Sequence, residues 1–134
     1  MSSIIIERPL QLKMDLIEIE DYFPSFRMKI EILISHPTGS VSYQADDIWF
    51  SCTEWDIFIN NMKSLQMPND YSLLNMSQLF ELKFKFEQMD IFFAVNVEEP
   101  DIEVGSVKIN YLNKIDLDVF SQIKSKFYNF STWW

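Results

Sequence analysis

Along most of this chain, apolar and polar residues alternate one for one. Successive side chains of a strand point to opposite faces, so this alternation predicts half-buried strands. The cleanest run is FELKFKFE, Phe80 to Glu87. Phe80, Leu82, Phe84 and Phe86 share one face, and Glu81, Lys83, Lys85 and Glu87 the other. After the break QMD, Ile91 to Glu98 reads as its hairpin partner, with Phe93 and Val95 toward the core. Leu10 to Leu16, Arg27 to Ser35, Val41 to Phe50 and Ser106 to Leu112 carry the same pattern, and Ile4 to Ile6 adds a short run ahead of them. Pro24 in EDYFPSF and the HPTGS stretch from His36 to Ser40 interrupt the runs as turns do. The alternation slips at Asp46-Asp47, which predicts a bulge or short turn.

Two segments change to helical spacing. Trp55, Phe58, Ile59, Met62 and Leu65 form one apolar stripe, opened by Ser51 and Glu54 at capping-box spacing and closed by Pro68. Val119, Phe120, Ile123 and Phe127 form the second stripe, with Asp116 as N-cap and an end near Asn129. The expected order is βββαβββα: an α+β chain, mainly an antiparallel sheet or sandwich of about six strands with two helices. Nothing Pro/Gly/Ser-rich interrupts residues 1–134, so the reading is a single domain.

Composition narrows the chemistry. Only two glycines occur, Gly39 and Gly105, so neither a dinucleotide nor a P-loop fingerprint is present. Cys52 is the only cysteine and His36 the only histidine. That leaves no CxxC pattern and no His/Cys metal site, and the expectation is no metal and no cofactor. Cys52 and His36 fall at opposite ends of a predicted strand, so no nucleophile–base pair is indicated. Neighbouring carboxylates such as Asp46-Asp47 or Glu98-Glu99 point to opposite faces of a strand and make no acid–base dyad. The reading is of a protein that is not an enzyme, with no catalytic residues. No signal peptide or membrane-length apolar run is seen, which gives a cytoplasmic, membrane-free expectation.

Charge then points to a partner. Twenty acids face 11 bases, for a formal net charge of -9, which repels nucleic acid and favours a basic protein. Base-free acid clusters lie beside aromatic residues. One holds Asp15, Glu18, Glu20 and Asp21 beside Tyr22 and Phe23. A second holds Asp46, Asp47, Glu54 and Asp56 beside Trp49 and Trp55. A third holds Glu98, Glu99, Asp101 and Glu103. Aromatic anchors with acidic steering suit protein recognition. The candidate partner-binding residues are Asp46, Asp47, Glu54, Asp56, Glu98, Glu99, Asp101 and Glu103, with Trp134 of the closing Trp133-Trp134 pair.

The succession DYFPSFRMKIEI, IWFSCTEWDIFINNMKSL, FELKFKF with its paired strand, and a closing helix resembles the WapI-type immunity proteins of bacterial polymorphic-toxin systems. The resemblance covers roughly residues 10–130. It departs from the family pattern where FRMKIEI stands in place of an early-strand tryptophan, and no binding residue carries over from it. It implies a small acidic protein that covers the active site or substrate approach of a cognate toxin with a basic surface, acting as a monomer or weak homodimer. Two other readings fit the same chain: an acidic secretion chaperone for an effector, and a small-ligand-binding or enzymatic α+β domain.

Overall fold

A computed structural model describes residues 2–63 and 70–134; Leu65 and Pro68, read above as the end of the first helix, lie outside the described residues. Among the described residues there are eight strands and two helices. Four strands come first: β1 (Ser3–Ile6), β2 (Gln11–Glu20), β3 (Ser25–His36) and β4 (Gly39–Ser51). Helix α1 (Cys52–Lys63) follows. Then come β5 (Tyr71–Leu74), β6 (Phe80–Glu87), β7 (Asp90–Glu99) and β8 (Val107–Ile115), and α2 (Leu117–Tyr128) closes the chain. Each set of four strands forms its own antiparallel sheet, in the orders β1-β2-β3-β4 and β5-β6-β7-β8.

The α+β class and the two helices agree with the pattern; the count of about six strands in one sheet or sandwich does not. Beyond the six, β1 is the short run at Ile4 to Ile6 noted in the sequence, and β5 is not read there. Each has only four residues, too few for alternation to separate a strand from a loop. The slip at Asp46-Asp47 is a bulge: Met28 faces Ile48 and Ile30 faces Ala45, so Lys29 alone spans both aspartates. A second irregularity at Ile17 flanks Met28 from β2. Bulges on both neighbours of one residue add local twist where the core face of the sheet closes over the helices.

The helix ends are made as their sequences require. Ser51 Oγ accepts from the Glu54 N–H at 3.3 Å. Asp116 Oδ1 accepts from the Val119 N–H at 2.8 Å, and Asn129 is the C-cap of α2. The inner faces of both sheets and both helices share one contiguous core. Phe50 of β4 meets Phe80 of β6 edge-on at 6.1 Å, Phe58 of α1 stacks on Phe84 at 6.3 Å, and Phe120 of α2 meets Phe84 at 5.0 Å. Among the described residues, no helix is long and apolar enough to cross a membrane.

The outer sheet faces hold most of the bases. Lys13 pairs with Asp15, Lys29 with Glu31 and Arg27 with Glu18 on the first sheet. Lys83 pairs with Asp70, Lys85 with Glu87 and Lys114 with Asp90 on the second, and Arg8 ties the β1–β2 turn to Asp118 of α2. Exposed pairs of this kind contribute little stability each. Their consequence is the place where unmatched charge remains.

Candidate functional site

None of the eight acids named from the sequence joins an ion pair among the described residues. Glu20 and Asp21 are likewise unpaired, whereas Asp15 and Glu18 of the same sequence cluster are taken up by Lys13 and Arg27. Among these candidates the unmatched negative charge falls at strand ends, turns, the β4 bulge and the start of α1.

The turn Asn75–Leu79 links the two strands that carry two of these clusters. The Met76 N–H donates to the Trp49 carbonyl at 2.8 Å, and the Glu98 N–H donates to the Leu79 carbonyl at 2.9 Å. That turn thus bridges β4, which carries Asp46 and Asp47, and the end of β7, which carries Glu98 and Glu99. Asp47 and Glu20 border one shallow depression with Trp49 and Met76, and Trp49 Nε1 donates to Asp47 Oδ1 at 3.0 Å. Trp49 is half-buried and Met76 exposed, so apolar surface lies between the carboxylates.

The other candidates divide by what holds them. Asp56 Oδ2 accepts from Trp134 Nε1 at 2.7 Å. Trp134 also stacks on Phe26 at 5.4 Å, and Trp133 meets Trp134 edge-on at 4.6 Å. Each terminal tryptophan keeps 38% of its surface exposed, so the pair plugs the first sheet while offering one side to solvent. Glu54 is exposed in the first turn of α1, where the helix dipole favours an acid. Asp101 serves its own loop: the N–H groups of Val104 and then Glu103 hold its carboxyl below the usual range, with both bonds to Oδ1. Trp55 is fully buried. Cys52 is buried too; burial first, then Asp56 and Asp21, push its thiol up, away from the thiolate a nucleophile requires. His36 sits exposed at the β3–β4 turn, with Nδ1 at 3.0 Å from Thr38 Oγ1. Among the described residues, no three of His, Cys, Asp and Glu gather as metal ligands would.

Tyr43 marks where β4 passes the end of β7. Its hydroxyl is buried and lies against the Glu99 carboxylate, without a hydrogen bond of normal geometry to any of the described residues. Burial, then the nearby Glu99 carboxylate, raises its pKa above the ordinary 10.0. The neutral form is thus favoured in the fold, while the unfolded chain ionises near the ordinary value. The associated stability is complete below that value and declines as pH rises above it. Tyr43→Phe is expected to be neutral or stabilising by up to about 1 kcal/mol at neutral pH, and to flatten the alkaline loss. Urea unfolding at neutral pH and at about pH 10.5 checks both.

Sequence reasoning missed the Asn75–Leu79 bridge, whose acceptor and donors have no periodic signature. In chemical terms the site is a rim of unpaired carboxylates around exposed sulfur and aromatic surface, set on an α+β fold of two antiparallel meanders. No protein-family model, curated protein or solved structure matches this chain.

Proposed function

We propose that this chain is an immunity-type inhibitor, which neutralises a secreted bacterial toxin by covering its active site or substrate approach with the acidic rim. One observation carries the reading: Asp46-Asp47 and Glu98-Glu99, none of them in an ion pair among the described residues, lie on the two strands that the Asn75–Leu79 turn joins. Carboxylates so placed compete with phosphates for a basic cleft and speed the encounter. Trp49 and Met76 supply apolar area that charge alone does not.

The test is co-expression with the product of a large multi-domain gene found immediately upstream of this chain's own. Growth is expected to recover, and continued arrest would sink the reading. Asp46→Lys, Asp47→Lys, Glu98→Lys and Glu99→Lys combined should weaken toxin binding by at least about 100-fold and change its salt dependence. Unchanged affinity would remove both clusters from the interface.

A further inference from the structure

Tyr22 and Phe23, in the β2–β3 turn, are 86% and 70% exposed, the two most exposed aromatic side chains among the described residues. Their rings meet edge-on at 5.2 Å and neither belongs to the core. The backbone beneath them is nevertheless held at successive points. The Tyr22 N–H donates to Glu20 Oε1 at 2.9 Å, Ser25 Oγ donates to the Phe23 carbonyl at 2.8 Å, and the Cys52 N–H donates to the Pro24 carbonyl at 3.0 Å. A pinned turn that leaves two rings in water is preorganised for binding, since its conformational entropy is lost before a partner arrives.

Its surroundings fix the sign of that partner. Glu20 and Asp21 flank the rings and have no ion-pair partner among the described residues. Asp21 and Asp56 both lie close enough to Cys52 to raise its thiol, so the Asp56–Trp134 contact belongs to the same corner. A membrane surface with anionic headgroups would be repelled there. We propose that the Tyr22-Phe23 turn is an anchor for a cationic segment of a partner protein, an arginine or lysine lying over the Tyr22 ring with its charge toward Asp21 and Glu20. Aromatic faces attract such cations, and exposed carboxylates beside them add charge complementarity.

This deepens the protein-binding reading and rests on it, but its test needs no toxin, so either can fail alone. The isotope-labelled full chain is titrated with hexaarginine and, separately, with hexaglutamate. Hexaarginine should shift the amides of residues 20–23 and the Trp134 indole; hexaglutamate should not. Tyr22→Ala/Phe23→Ala should keep the wild-type Tm, because both rings are exposed, and weaken hexaarginine binding by about 10-fold. Asp21→Asn should weaken it severalfold. Equal binding by the double variant, or shifts confined to residues 98–104, would overturn the anchor. So would a dimer of the free chain, seen by sedimentation, that the double variant abolishes, since the turn would then be occupied by a second copy.

Discussion

Trp55→Ala is expected to lower the unfolding free energy by about 3–5 kcal/mol. The side chain is fully buried at the start of α1, where three parts of the fold meet. Its ring lies 5.1 Å from Phe26 and 5.6 Å from Phe50 of the first sheet, 5.5 Å from Phe127 of α2 and 5.2 Å from Phe130 beyond it. Truncation therefore opens a cavity walled by rings on several elements, which cannot all close in together. Whole domains are stable by only about 5–15 kcal/mol, so the variant should sit near the edge of folding. Trp55→Phe should cost much less. It keeps a ring and removes an indole N–H that has no hydrogen-bond partner among the described residues. Urea unfolding followed by circular dichroism separates the two. Equal losses would mean that ring size, rather than the cavity, sets the cost.

Trp55 also shows what a single sequence makes legible. Its helical spacing with Phe58 and Met62 marked it as core, and all three are buried. The alternation in Phe80 to Glu87 marked a strand with its inner face intact, because a period of two over eight residues has few other causes. The acids were legible as residues but not as a surface. Asp15 and Asp46 look alike in the sequence. Only the strand register shows that Asp15 lies opposite Lys29 and pairs with Lys13, while the bulge holds Asp46 with its carbonyl, not its carboxylate, bound to Arg27 at 2.9 Å. Asp101 has a local role that neighbouring residue types alone do not announce: its carboxylate closes an Asx turn. Tyr22 and Phe23 were visible as aromatics beside acids, but their exposure depends on β2 and β3 ending where Pro24 turns the chain.

Asn75→Ala should cost about 2–4 kcal/mol, although it removes little volume. Asn75 is 2% exposed, and its side chain stands in for backbone that the Asn75–Leu79 turn lacks. Oδ1 accepts from the N–H groups of both Leu79 and Phe80 at 2.8 Å, and Nδ2 donates to Ser77 Oγ at 2.9 Å. Alanine leaves those N–H groups without an acceptor where water has poor access, and each such group costs the desolvation of a donor. Gln78 aggravates the loss, since its φ of 60° is a conformation that a non-glycine residue keeps only when its surroundings hold it. Asn75→Asp retains the acceptor and should recover part of the deficit, less the cost of a buried charge. The damage should also spread to the acidic rim, because this turn carries both the Met76–Trp49 and the Leu79–Glu98 bonds. Amide exchange at Met76 and Glu98 should therefore accelerate more than at Phe84 in mid-strand. A loss under about 1 kcal/mol with unchanged exchange would mean that backbone bonds alone hold the turn. In that case the two acid clusters would stand where they do without Asn75.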